Sequence, residues 1–265
     1  MAFPIRFRKI LSIATLAALP VVTFAQKPLA FTVDGVQRHA IVFAPASNTA
    51  PAPLIFAFHG HGGNAQAFAQ GGALQTHWPE AIIVYPQGLP TVGDQDPQGK
   101  QPGWQHSIGE SNDRDLKFVD AMIASLKSQY KVDTNRVYTV GFSNGAMFSY
   151  LLWVARPNDF AAIGAVAGKF WPGVALPTTP KPILHIAGKA DARVKFADQE
   201  ETVAQAVKID GAGNATPCGA NCSFYQGKNG NNVRFVTHPG GHVYPPFASD
   251  VIVKFFQNHP HVSGN

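Results

Sequence analysis

Apolar residues recur along this chain in two distinct rhythms. Six stretches are almost continuously apolar: "PLIFAFHG" (53–60), "AIIVYPQG" (81–88), "NRVYTVGFS" (135–143), "FAAIGAVAG" (160–168), "KPILHIAG" (181–188) and "NNVRFVTH" (231–238). Short runs of this kind predict strands buried on both faces. Between them, "LKFVDAMIASLKSQY" (116–130), "NGAMFSYLLWVA" (144–155) and "ADQEETVAQAVKI" (197–209) place apolar residues at helical spacing, and "SDVIVKFFQNH" closes the series as a last helix. Strands that alternate with helices in this way predict a mostly parallel central sheet with helices on both faces. Ahead of them, "LAFTVDGVQRHAIVFAP" reads as two β runs joined at Asp34-Gly35, an N-terminal antiparallel hairpin. No repeat and no Ser/Thr/Pro-rich linker interrupts the pattern, so residues 26–265 are expected to form one α/β domain.

The first 25 residues depart from this pattern. Arg6, Arg8 and Lys9 precede an apolar stretch from Ile10 to Phe24, and Thr23-Phe24-Ala25 offers a small-residue cleavage site. This is the layout of a secretory signal peptide; the stretch, interrupted by Pro20, is short of the ~20 residues a membrane span needs. An uncleaved anchor is the alternative. The expected product is secreted or periplasmic, begins at Gln26 and does not insert into a membrane. Setting those three cations aside leaves 18 Lys and Arg against 16 Asp and Glu. So even a balance speaks against nucleic acid or an anionic membrane surface as the main partner. Export also suits the two cysteines, Cys218 and Cys222 in "PCGANC". A disulfide between them is expected to contribute about 2 kcal/mol, and two cysteines alone are too few for a zinc site.

One segment between predicted elements is unusually long. "PQGLPTVGDQDPQGKQPGWQHSIGESN" (86–112) is rich in Gly, Pro and polar residues and leaves the C-terminal end of a strand, where open α/β sheets bind ligands. The chemistry is expected next to it. Gly141-Phe142-Ser143-Asn144-Gly145 matches G-x-S-x-G, a weak signal alone. Its setting, a strand before and a helix after, is the one that lets a Ser hydroxyl project from a sharp turn as a nucleophile. The Asn144 N–H would then face a developing oxyanion from the helix N-terminus.

Such a Ser needs an acid, a base and a second oxyanion donor, with the acid and base following in that order, each just after a strand. Asp191 in "LHIAGKADARV" fits the acid, with Asp198 a rival placed where a helix begins. His242 in "VTHPGGHVYPP" fits the base, being on a loop after two glycines, while His238 at the strand end is its rival. His185, inside an apolar strand, reads as a core histidine. The second donor is assigned to the N–H of His61 in "FHGHGGN", with Gly62 as the fallback. His59 and His61 lack a third ligand for a metal. Trp104 in the long loop and Trp171 in "AGKFWPG" are candidate substrate-binding walls of the cleft.

Together "HGHGGN", "GFSNGAM", "GKADARV" and "PGGHVYP" resemble the polyhydroxybutyrate depolymerase-like and feruloyl-esterase-like family of secreted α/β-hydrolases, over most of the chain from about residue 40 onward. The resemblance implies the α/β-hydrolase fold and a serine esterase acting on carboxylic esters through an acyl-enzyme. It implies the triad Ser143, Asp191 and His242, with neither cofactor nor metal. The partner implied is a small-molecule or polymer-derived ester: short-chain acyl, hydroxycinnamoyl or hydroxyalkanoate. "NDRDLKFVDAMI" resembles the segment before the elbow strand, so Asp113 and Asp115 are candidates either to line the active-site side or to cap a helix. No Thr-rich linker or polymer-binding module is apparent, and soluble short-chain or aromatic esters are the expected substrates. A peptidase on the same fold and a non-catalytic binding protein that retains it are the alternatives.

Overall fold

The computed structural model describes residues 24–261. The expected signal segment therefore lies outside the described residues except for Phe24 and Ala25. These two head strand β1 (Phe24–Val33), opposite Pro45 and Ala44 of β2 (Val36–Pro45). The hairpin turns at Asp34 and Gly35, both at positive φ (49° and 79°), the backbone that matches the twist of the paired strands.

Among the described residues, ten strands form one sheet in the order β1-β2-β4-β3-β7-β8-β9-β12-β11-β10. Its centre is the parallel set β4 (Ile82–Pro86), β3 (Ala52–Phe58), β7 (Val132–Phe142), β8 (Ala162–Val166), β9 (Ile183–Gly188) and β12 (Val233–His238). The hairpin adds an antiparallel edge on one side. On the other side β10 (Ala215–Pro217) and β11 (Cys222–Tyr225) add a second one. The Cys218–Cys222 disulfide, with Cα atoms 5.1 Å apart, staples the turn between these two short strands.

Strand periodicity sends alternate side chains of the parallel set into different layers. Ile55 and Ala57 pack with α1 (Ala65–Gly72), α2 (Leu74–His77) and α6 (Ala248–Gln257), through Ala69, Leu74 and Ile252. Leu54, Phe56 and Phe58 pack with α3 (Arg114–Gln129) and α4 (Asn144–Ala155), through Phe118, Met122 and Phe148. Farther along, α4 and α5 (Phe196–Ile209) cover Ile163, Ala165 and Ile183. Phe56 is fully buried between these elements, and Phe56→Ala would cost about 3–5 kcal/mol in lost transfer energy and cavity. Among the described residues no helix is long and apolar enough to cross a membrane.

Among the described residues, α1, α2, β10 and β11 have no counterpart in the hydrophobic pattern. The buried face of α1 is only Ala65, Ala69 and Gly72, and β10 is exposed throughout, so neither produces an apolar rhythm. The long segment after β4 is also more ordered than its composition suggests. It folds into a two-residue ribbon, β5 (Leu89–Pro90) with β6 (Pro102–Gly103), and ends in a 3-10 turn at Glu110–Asp113.

Candidate active site

Ser143 stands between the end of β7 and the start of α4, at φ 55° and ψ −121°. The turn is this tight because strand and helix almost touch. A Cβ on Gly141 would lie 2.1 Å from the Gly145 carbonyl oxygen, and one on Gly145 would lie 2.2 Å from the Phe58 carbonyl oxygen. Only glycine leaves room for that approach, and the Ser143 N–H is anchored to the Val166 carbonyl at 2.9 Å. The hydroxyl is thereby held above the C-terminal edge of the sheet.

Two other loops of that edge converge on it. His242 Nε2 lies 2.8 Å from Ser143 Oγ, and His242 Nδ1 lies 2.9 Å from Asp191 Oδ2. The Asp191 side chain is fully buried. Its Oδ1 accepts the N–H groups of Arg193 (2.9 Å) and Val194 (3.0 Å), and its Oδ2 also accepts Gln199 Nε2 (3.1 Å). A buried carboxylate needs such donors in place of water. The rivals are engaged elsewhere. Asp198 binds Lys169 Nζ at 2.7 Å, and His238 Nδ1 accepts the Gly240 N–H at 3.1 Å, supporting the loop that carries His242. His185 is buried, bonded to Tyr150 and Gln199.

The His59–Asn64 turn faces the same hydroxyl. Gly62 N–H donates to the Pro102 carbonyl (2.8 Å) and Gly63 N–H to the Gly60 carbonyl (2.9 Å). The His61 N–H makes neither of these turn bonds, whereas the N–H of Gly62, the fallback donor, is engaged in one. His59 fixes this turn: its Nε2 accepts the Gly88 N–H at 3.0 Å, which assigns the proton to Nδ1, donated to the Gly60 carbonyl at 2.8 Å. Burial pushes His59 down to about 4, keeping it neutral in this role. The Asn144 side chain clamps the long loop, its Oδ1 accepting the Trp104 N–H (2.8 Å) and its Nδ2 donating to the Trp104 carbonyl (3.2 Å).

Three expectations about side chains need correction. Trp104 is not a cleft wall: it is 0% exposed, stacks on Phe148 and donates Nε1–H to the His59 carbonyl at 2.8 Å, beneath the turn. Asp115 neither lines the cleft nor caps α3; it forms a buried ion pair with Arg38 at 2.7 Å and accepts the Gln105 N–H. Asp113 makes no capping bond to α3 either, and its carboxylate accepts Gly109 N–H and Gln105 Nε2–H within the loop.

Ser143, Asn144 and His242 open into a cleft of about 350 Å³. Trp171 does line it, packed against His106, also a lining residue, with ring centroids 3.9 Å apart and planes tilted by 35°. Burial lowers the pKa of His106, opposed by the Glu110 carboxylate. The rest of the wall is mixed, with apolar Phe142, Met147 and Val194 beside polar Asp94, the His61–Asp96 pair (3.3 Å) and Arg193. Nothing in the spacing of Asp94 and Asp96 marked them as lining, because the long loop brings them there only by folding back.

A model of the family described as Esterase PHB depolymerase matches residues 37–179, which include both the glycine-rich turn and the Ser143 turn. A probable feruloyl esterase C of Aspergillus clavatus is 29% identical over 215 residues, 77% of this chain and 76% of that protein. A bifunctional acetylxylan esterase/xylanase of Neocallimastix patriciarum is 31% identical over 174 residues, 63% of this chain and 23% of that longer protein. The solved acetyl xylan esterase from Aspergillus awamori shares the fold with a TM-score of 0.66 at 15% identity, over 88% of this chain and 99% of its own. With the family match spanning more than half of its length, this chain belongs to the Esterase PHB depolymerase family, carboxylic ester hydrolases of the α/β-hydrolase fold.

Proposed function

We propose that this protein is an exported serine esterase that cleaves soluble short-chain or hydroxycinnamoyl esters. The observation that carries the reading is the continuous pair of contacts from Ser143 Oγ to His242 (2.8 Å) and from His242 to Asp191 (2.9 Å). In this reading Ser143 attacks the ester carbonyl while His242 takes its proton and then delivers it to the departing alcohol. Asp191 orients the imidazole and stabilises its cationic form. The N–H groups of His61 and Asn144 receive the oxyanion, and water repeats the sequence on the acyl-enzyme. The feruloyl and acetylxylan esterases among the relatives support this substrate range, as does the Trp171 ring on the cleft wall, an aromatic surface that an aromatic acyl group can contact. The basic and apolar N-terminus and the Cys218–Cys222 disulfide support export.

The test is direct. Wild type should react with a fluorophosphonate probe at Ser143, and both Ser143→Ala and His242→Ala should lose on the order of 10⁴-fold in kcat while staying folded. Esterase activity near normal in either variant would end this assignment. For substrate range, kcat/KM on acetyl, butyryl and feruloyl esters should exceed the rates on long-chain lipid emulsion and solid polyester. A preference for the emulsion or the solid would overturn the substrate class and leave the triad standing.

A further inference from the structure

Asp191 has a second partner on Oδ2 besides His242, and that partner is the end of a buried polar chain. Gln199 Nε2 donates to Asp191 Oδ2 (3.1 Å) and to the Val194 carbonyl (2.7 Å); its Oε1 lies 3.0 Å from His185 Nε2, and His185 Nδ1 lies 2.7 Å from the Tyr150 hydroxyl. Tyr150, His185 and Gln199 are all at most 1% exposed. Apolar rings surround them, including Phe170 and Phe235. Placing three polar side chains in such surroundings is costly unless each hydrogen bond is made.

The direction of every bond in this chain follows from acceptor chemistry. The Asp191 carboxylate and the Val194 carbonyl are both acceptors, so the Gln199 amide must turn its NH₂ to them and its oxygen to His185. That oxygen requires a proton on His185 Nε2. Burial holds His185 down to about 4, so the ring is neutral and its Nδ1 bears a lone pair. Only the Tyr150 hydroxyl is placed to donate to it, and burial keeps that phenol protonated. Donation thus runs one way: Tyr150 to His185 to Gln199 to Asp191.

The placement of these residues in the fold is equally telling. Tyr150 is on α4, the helix that Ser143 precedes; His185 is on β9, the strand that leads to Asp191; Gln199 is on α5, which follows Asp191. The bonds therefore close a ring from Ser143 through His242, Asp191, Gln199 and His185 to Tyr150, and back along α4.

We propose that Gln199, held in one amide orientation by His185 and Tyr150, is a positioning residue that fixes Asp191 and shares its negative charge with His242. The proposal rests on the triad reading given above. Without the Gln199 N–H, the charge on Asp191 Oδ2 falls more fully on His242 and the imidazolium is favoured. Other charged or titratable groups around this acid are His238, at the end of β12, Arg193, on the cleft side, Lys189 on the same loop, and Lys195 and Asp198 at the start of α5, the latter paired with Lys169. None is altered by the substitutions below.

The experiment compares wild type, Gln199→Leu and Tyr150→Phe with p-nitrophenyl acetate as probe, alongside fluorophosphonate labelling of wild type. Gln199→Leu should lower kcat roughly 10-fold with KM within about twofold, and move the acid limb of the kcat/KM profile up by about half a pH unit. Tyr150→Phe, which deletes one oxygen, should shift both in the same direction by about a third as much. The downfield NMR proton between His242 and Asp191 should move in both variants. Folded variants with unchanged kcat, acid limb and NMR proton would overturn the proposal and leave Gln199 a filler of buried space, even if their melting temperature fell. If Gln199→Leu does not fold, Tyr150→Phe decides by the same criteria. An unlabelled wild type would overturn the triad and this proposal together, whereas a labelled wild type with silent variants would overturn this proposal alone.

Discussion

Ser143 holds a backbone conformation, φ 55° and ψ −121°, that side-chain-bearing residues seldom adopt and that costs about 1–3 kcal/mol. The packing of Gly141 against Gly145 and of Gly145 against Phe58 over-determines the turn, so the strain persists. A consequence can be measured without any substrate. Ser143→Gly and Ser143→Ala remove the same hydroxyl, but only glycine releases the strain. After the added flexibility of glycine in the unfolded chain is counted, Ser143→Gly should be more stable than Ser143→Ala by about 1 kcal/mol. Chemical denaturation of the two inactive variants reads this difference. Equal stabilities would mean that the turn is not strained.

At the scale of elements, the site depends on how the long segment after β4 is tied down. Arg38 on β2 reaches three acceptors: Asp115 Oδ1 (2.7 Å), the Arg114 carbonyl (3.1 Å) and the Gln87 carbonyl (3.4 Å). Asp115 in turn accepts the Gln105 N–H at 2.8 Å, and the neighbouring Trp104 backbone is clamped by Asn144. The hairpin, α3, the long loop and the start of α4 are thus one connected unit. Asp115→Ala would leave the Arg38 guanidinium buried without its counter-charge, at a cost of about 3–5 kcal/mol. The melting temperature should fall by roughly 10 °C, and kcat should fall too as the Trp104–Asn144 clamp loosens. Calorimetry with parallel kinetics checks both, and a change confined to KM would argue against this linkage.

For the molecule as a whole, pH sets stability through the buried histidines. His59 and His185 are each pushed down to about 4 by burial, against 6.5 as the ordinary value. Between those limits the unfolded chain binds more protons than the folded one. Their stabilisation is complete above pH 6.5 and is lost as pH falls toward 4, about 3 kcal/mol for each ring. Asp210 works in the opposite sense. Burial raises it to about 7, so the folded state takes up its proton first and gains back about one histidine's worth over the same window. These three groups together lose about 2 kcal/mol between pH 7 and pH 4.5, and His106, His238 and His259, also lowered by burial, act in the same direction, so the melting temperature should fall. A melting temperature constant across that range would mean that the histidines are less buried than the packing indicates.

Much of this architecture was legible in the hydrophobic pattern, because each parallel strand and long helix carries its own burial signature. The runs at 53–60, 81–88, 135–143, 160–168, 181–188 and 231–238 all became central strands, and Asp34-Gly35 became the hairpin turn. Chain order put an acid after β9 and a histidine after β12, and Asp191 and His242 are the side chains that meet at Ser143. Local signals failed where burial depends on a distant partner. Trp104 reads as a loop residue, yet it lies under Phe58 and Phe148 because the Asn144 clamp folds its loop inward. Gln199 and Tyr150 read as ordinary helix positions, and only the approach of α4 and α5 across β9 brings them to His185. The sequence by itself determined which segments are buried and in what order the reactive side chains arrive. Tertiary packing decided which polar groups share a buried space and where each hydrogen bond points, because those contacts join residues far apart in the chain.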